Sequence, residues 1–150
     1  MRILDKAEIP YKYHCYADTG AVSEIEVAKV LNKNPDSVFK TLVTAGKSKQ
    51  IYVFVIPVNK ELDLKKAAKS VNEKSVEMIK SKDLLPITGY IHGGCSPVGM
   101  KKMFVTTIDI SAESHDTIMF SAGKIGYQVE LNVMLLSDII KFNLHDITEE

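Results

Sequence analysis

Apolar positions recur along this chain at two spacings, and the change from one to the other outlines its elements. Over residues 38–45 both parities of an extended segment are apolar, with Val38, Lys40 and Leu42 on one face and Phe39, Thr41 and Val43 on the other. That pattern predicts a central strand. Residues 51–56, IYVFVI, are continuously apolar and rich in branched and aromatic side chains, a buried strand that pairs with the previous one as a hairpin across the turn 46–50. Segments 11–16, 103–108, 117–120 and 127–132 read as further strands, with a short one at 75–78. Helical spacing appears where Leu64, Ala67, Ala68 and Val71 fall at i, i+3, i+4 and i+7 behind the cap Asp63. Ser23-Glu24-Ile25-Glu26 matches a capping box and opens a helix through Leu31, with Val22, Ile25 and Ala28 on one face and 32–35 closing it. A short helix over 1–8 before Pro10, a turn over 17–22, a helical turn at 80–85 stopped by Pro86 and a last helix over 138–142 capped by Ser137 complete the expectation. Strands outnumber helices and alternate irregularly with them. The fold class predicted is α+β, one domain over residues 1–150, with a mixed, strongly curved, barrel-like sheet and peripheral helices.

Composition narrows the function. The 150 residues, 45% hydrophobic, are enough for one full core. Nineteen Lys and Arg balance nineteen Asp and Glu, so no global field draws the chain to a polyanion, and any such partner must meet a local patch. An 18-residue apolar run and a signal-peptide core are both missing, which predicts a cytoplasmic protein with no membrane partner. Cys15 and Cys95 are too few and too far apart for a disulfide framework or a metal spacing, and read as free thiols. His14, His92, His115 and His145 are scattered, so neither a metal nor a cofactor is expected.

Two features break the core pattern. Lys40 lies inside a strand that is apolar on both faces. Either its stem covers apolar surface while the head snorkels to an opening, or its ammonium meets a partner within a pocket. The run 87–102, ITGYIHGGCSPVGMKK, holds Gly89, Gly93, Gly94 and Gly99, half of the chain's eight glycines, with Ser96 held extended before Pro97. It reads as a loop that offers amide N–H groups to a small molecule or a nucleotide end, or else as a tight connection between strands.

With VFKTL at 38–42, LDLKK at 62–66, TGYIHGGCSPVGMKK at 88–102 and SAGK at 121–124, the chain resembles the YbaK/EbsC family over nearly its whole length. These are free-standing relatives of the editing domain inserted in bacterial prolyl-tRNA synthetases. The resemblance implies an aminoacyl-tRNA deacylase, and the GGCSPVGMKK form is most similar to the branch that clears cysteine from mischarged Cys-tRNA(Pro), with Cys-tRNA(Cys) as a further candidate substrate. It carries the activity onto Lys40, and pocket-shaping roles onto Tyr16, Gly93 and Ser121. Thr41, Gly94, Ser96, Pro97, Gly99 and Gly123, in the same motifs, complete the expected substrate-binding set. An acidic residue common in the family after the second glycine turn stands here as Gln128, which departs from the pattern, and the segment 17–23 is hard to align.

The implied substrate is an ester joining an amino acid to the 3′ end of tRNA. Backbone amides over 93–99 suit its oxyanion, and Lys40 suits the terminal phosphate or the aminoacyl carbonyl. For a cysteinyl ester the resemblance implies that the substrate's own thiol attacks its carbonyl. Cys95, three residues after His92, is the alternative nucleophile. Lys101, Lys102, Lys65, Lys66, Lys69 and Lys47 are the candidates for tRNA contact, although a solvated helix face explains Lys65, Lys66 and Lys69 equally well. A neutral chain binds tRNA weakly alone, and the family resemblance implies a ternary complex with prolyl-tRNA synthetase. Other readings are clearance of alanine from tRNA(Pro) by water or a tRNA hydroxyl, and a non-catalytic aminoacyl-tRNA-binding module.

Overall fold

The structure, a computed structural model, describes residues 2–17, 24–92 and 94–150. In chain order the elements are α1 (Arg2–Lys6), β1 (Lys12–Cys15), α2 (Glu24–Val30), β2 (Phe39–Gly46), β3 (Ile51–Pro57), α3 (Leu64–Ser70), β4 (Val76–Met78), α4 (Ser81–Thr88), β5 (Val105–Asp109), β6 (Ile118–Ser121), β7 (Tyr127–Leu131) and β8 (Phe142–His145). The expected capping residue Ser23 and most of the turn at 17–22 lie outside the described residues.

The α+β class holds, but the strands do not make one barrel-like sheet. They divide into a sheet of order β1-β7-β6 and a mixed sheet of order β4-β2-β3-β5-β8. Among the described residues a single bridge, Val38 with Met119, links the two. A closed ladder would need β6 to continue along β2, and the chain instead turns away after Ser121.

The mixed sheet explains the apolar runs. On one face of β3, Val53 and Val55 join Phe39, Val43 and Ile108 and meet Ile118, Phe120, Val129 and Leu131 of the small sheet. Its other face presents Tyr52, Phe54 and Ile56 to Ala67 and Ala68 of α3. A strand covered on both faces has no polar parity, hence IYVFVI. Burying a side chain such as Phe54 contributes on the order of 2–3 kcal/mol. Asp63 caps α3 as expected, accepting from the Lys65 and Lys66 N–H groups at 3.0 Å. A third small cluster seats α2, with Ala28 against Val38, Val58 and Met119.

Two expectations near the chain's punctuation are corrected. Pro86 does not stop α4, which runs on to Thr88 and ends on Gly89 at φ 88°. Proline removes only its own N–H from so short a helix, and the Thr88 hydroxyl, bonded to the Leu84 carbonyl at 2.8 Å, and the Gly89 N–H, bonded to the Leu85 carbonyl at 2.8 Å, secure the last turn. The last helix over 138–142 is also not formed. Asn132, rather than Ser137, caps a 3-10 segment Val133–Asp138, and Phe142–His145 becomes the edge strand β8, parallel to β5. Phe142 and Leu144 alternate toward the core, a strand period that a four-residue segment shows only faintly.

The small sheet carries a partly buried ionic knot. Glu130 on β7 accepts from His14 on β1 at 2.9 Å and from Thr117 at 2.6 Å, and lies 3.2 Å from the Lys33 ammonium. Burial alone would raise its carboxyl. The Thr117 hydroxyl, His14 and Lys33 outweigh that and hold it down at about 2. A carboxylate depressed in the folded state stabilises the fold fully above its unfolded value, here 4.5, and that contribution is lost as pH falls toward 2. Glu130→Gln is expected to lower stability at pH 7 by about 1–3 kcal/mol, with the gap to the parent protein narrowing as pH falls from 4.5 to 2. Melting curves by circular dichroism across that range check it, and a gap independent of pH would count against the ionic account.

Candidate functional site

The site begins where β2 runs out of partners. On the β4 side, pairing ends at Met78 with Thr44, followed by a last bond from the Ile79 N–H to the Val43 carbonyl at 3.1 Å. At its start, β2 meets β6 only through the bridge of Val38 with Met119. In an antiparallel strand alternate residues send N–H and C=O to the same side. Val38 faces β3, through the Val58 N–H, and Val43 faces β4, so the backbone groups of Thr41 fall on the open edge between them.

A cavity of about 220 Å³ occupies that gap. At roughly 30 Å³ per water molecule it has room for about seven, enough for an amino-acid end rather than a whole nucleotide. It is lined by β2 from Phe39 to Val43, by Met78, Ile79, Lys80, Ser81 and Leu84 where β4 leads into α4, by His92 and Cys95 of the glycine loop, and by Ser121 and Gln128 of the small sheet. Two polar atoms line it without a partner: Thr41 Oγ1 and Gln128 Oε1 are buried and, among the described residues, have no hydrogen-bond partner. Buried polar groups nearly always have partners, so a pair without them in one hollow marks a place for a polar ligand. Ser121 Oγ accepts from the Gly123 N–H at 3.1 Å, which leaves its own proton to donate. Among the described residues the lining holds two lysines and a histidine, and no carboxylate.

Lys40 lies at this open edge, half-buried, and among the described residues it makes no hydrogen bond or salt bridge. Thr41 and Ser121 join it in the lining; Gly93 lies outside the described residues. Tyr16 is 4% exposed and its N–H bonds the Gly126 carbonyl at 2.7 Å, apart from the cavity lining. Gly94, Ser96 and Pro97 are buried beneath the loop. Two of the loop's amides are engaged within it, Gly94 on the Ile91 carbonyl at 3.0 Å and Val98 on Ser96 Oγ at 3.3 Å. Gly99 and Gly123 clasp the ring of Tyr90. A Cβ on Gly99 would come 2.6 Å from the Tyr90 hydroxyl oxygen, and one on Gly123 2.8 Å from its Cε1, and both residues have positive φ. The Tyr90 hydroxyl donates to the Val98 carbonyl, so the two glycine turns are tied through one ring.

None of the six lysines expected to meet tRNA lines the cavity. Lys66 is held by Asp146 at 3.1 Å and the Thr148 carbonyl at 2.9 Å, and Lys65 and Lys69 share its helix, outside the cavity lining. Lys47 is at the opposite end of β2 from Lys40, roughly 23 Å away along an extended strand. Lys101 lays its stem over Gly89 and donates to the Pro86 carbonyl at 3.3 Å, while Lys102 is exposed beside a second hollow behind the loop. The cation that does line the site, Lys80, has no signal in the sequence beyond its charge. Gln128, which stood out in the sequence as a departure from the family pattern, lines the cavity as a buried amide.

Burial pushes the Cys95 thiol up to about 12, against a smaller opposing pull from Thr88. At neutral pH it is a protonated thiol and a poor nucleophile. Among the described residues no group of His, Cys, Asp and Glu could hold a metal ion, and no helix is long and apolar enough to cross a membrane.

Comparison with known proteins bears on this geometry. The profile of the aminoacyl-tRNA editing domain family matches residues 19–139. A protein of Enterococcus faecalis assigned as a Cys-tRNA(Pro)/Cys-tRNA(Cys) deacylase, EbsC, is 47% identical over 132 residues, covering 87% of this chain and 80% of its own. Among solved structures, a hypothetical protein superposes with a TM-score of 0.87 at 18% identity, covering 99% of this chain and 97% of its own. A protein assigned as a trans-editing enzyme for prolyl-tRNA synthetase does so with 0.82 at 18% identity, covering 99% and 94%. At that identity the two structures speak for the fold alone. The match of the family profile across most of the chain, together with a relative nearly half identical, places this protein in the aminoacyl-tRNA editing domain family.

Proposed function

We propose that the protein is a trans-editing deacylase that removes cysteine from Cys-tRNA(Pro), and from Cys-tRNA(Cys) where it meets it. The observation that carries the reading is a small cavity that, among the described residues, has an unpaired lysine at its edge, orphan hydrogen-bonding groups in its wall and no ionised nucleophile. Such a site can position and polarise an ester but holds no group suited to attack it. A cysteinyl ester brings its own. Its sulfur attacks the carbonyl carbon, a C–S bond forms, the C–O bond to the ribose breaks, and the thiol proton ends on the departing hydroxyl. Holding thiol and carbonyl in attack geometry can lower the barrier by roughly 7–11 kcal/mol. Lys40 sits where a point cation can hold the carbonyl or the adjoining phosphate while charge develops. Thr41, Ser121 and Gln128 supply neutral donors and acceptors for the rest of the aminoacyl group.

Formal neutrality, and the distance of most surface lysines from the cavity, argue for help in choosing a tRNA. A cytoplasmic ternary complex with prolyl-tRNA synthetase would supply it.

Two outcomes follow. Lys40→Ala is expected to lower deacylation of Cys-tRNA(Pro) by about a hundredfold or more, whereas Cys95→Ala retains it, measured as release of radiolabelled amino acid. Loss of activity in Cys95→Ala with an unchanged melting temperature would return the nucleophile to the protein. Cys-tRNA(Pro) is also expected to be cleared at least tenfold faster than Ala-tRNA(Pro), which has no thiol; equal rates would move the reaction to water or a tRNA hydroxyl.

A further inference from the structure

The cavity described above is polar in one direction. Its orphan atoms, Thr41 Oγ1 and Gln128 Oε1, are neutral, and Gln128 is only 3% exposed, so a polar but uncharged floor lies on the side of the small sheet. The opposite rim is formed where β4 leaves β2. The last bond between them is Ile79 to Val43, and at Lys80 the chain turns into α4. Lys80 and Ser81 stand on that rim, across the open edge from Lys40. Lys80 is exposed and, among the described residues, has no salt bridge. As the residue preceding α4 it supplies no side-chain cap to the first N–H groups of the helix. Asp83, in the first turn of α4, is absent from the lining, and among the described residues no other carboxylate enters it. A mouth with two lysines and, among the described residues, no acid, in front of a polar floor, fits a ligand whose outer part is anionic.

We propose that Lys80 is a positioning residue that binds the phosphate of the terminal nucleotide, and so fixes the direction in which the ester enters. The proposal rests on the reading of this cavity as an aminoacyl-ester site. Lys40 on one side of the open β2 edge and Lys80 on the other then bracket the junction between amino acid and nucleotide, with the aminoacyl group against Thr41 and Gln128. Lys82, two residues further along α4, is exposed and does not line the cavity, so it carries the same charge without the same place.

The test compares the parent protein with Lys80→Ala, Lys80→Arg and Lys82→Ala in steady-state deacylation of Cys-tRNA(Pro) at several salt concentrations. Lys80→Ala should raise KM about tenfold, with the loss falling on KM rather than kcat. It should also flatten the dependence of log kcat/KM on log salt by about 0.7, one phosphate contact on a single strand. Lys80→Arg should restore most of the effect, and Lys82→Ala should show none. A Lys80→Ala profile equal to that of the parent, a fall confined to kcat, or the same change in Lys82→Ala would each overturn the proposal. A direct titration followed by NMR separates the phosphate site from the deacylase reading. Adenosine 5′-monophosphate should bind the parent about tenfold more tightly than adenosine or inorganic phosphate, and Lys80→Ala should abolish that preference over adenosine. If the parent hydrolyses no charged tRNA, the deacylase reading falls while the titration still decides the phosphate site. If inorganic phosphate binds as well as the nucleotide, the site is a free-anion site and the proposal fails.

Discussion

The structure depends on an interrupted hydrogen-bond ladder. Strand β2 is paired along its length with β3, but on its other side β4 covers only the end near Gly46, and β6 bridges the backbone only at Val38, just before β2 begins. A strand edge inside a core cannot be left dry and unpaired, because each buried amide or carbonyl without a partner costs about 1–3 kcal/mol. The gap must therefore be filled by solvent or by a ligand. That requirement places a polar hollow at residues 39–43 of an otherwise apolar strand, and it explains how Lys40 is tolerated in the centre of the fold.

The surrounding elements keep that gap open. Gly99 and Gly123 close on Tyr90 from two separate turns, so the glycine loop and the turn after β6 hold one another at a fixed distance. Glu130 ties β1 and β7 to Thr117 and Lys33, fixing the small sheet whose Gln128 and Ser121 form the far wall. Asp109 accepts from the Ile147 N–H at 3.1 Å and the Ser111 N–H at 3.2 Å, anchoring the C-terminal segment behind β5. In each case a polar side chain locks backbone that the hydrophobic clusters alone would leave free to slide. Electrostatics then separates the two ends of the hollow: lysines at the mouth and neutral polar groups at the floor.

The strands of the hairpin, the α3 helix with its Asp63 cap, the double-sided burial of β3 and the unusual placement of Lys40 were all legible in the linear pattern. Each follows from local periodicity or from a side chain at odds with its neighbours, and such signals survive without knowledge of the rest of the fold. The motifs around Lys40, the glycine loop and Ser121 likewise pointed to one family. The sequence could not say how the strands would divide, since two sheets and one curved sheet share the same alternation, and only the loss of partners along β2 distinguishes them. It could not show that Gly99 and Gly123 serve Tyr90, because the contact joins turns more than twenty residues apart. Nor could it tell which of nineteen basic residues reaches the cavity. Lys80 does so because β4 peels from β2 at that point, and a separation between strands is a property of tertiary packing, with no local residue code to announce it.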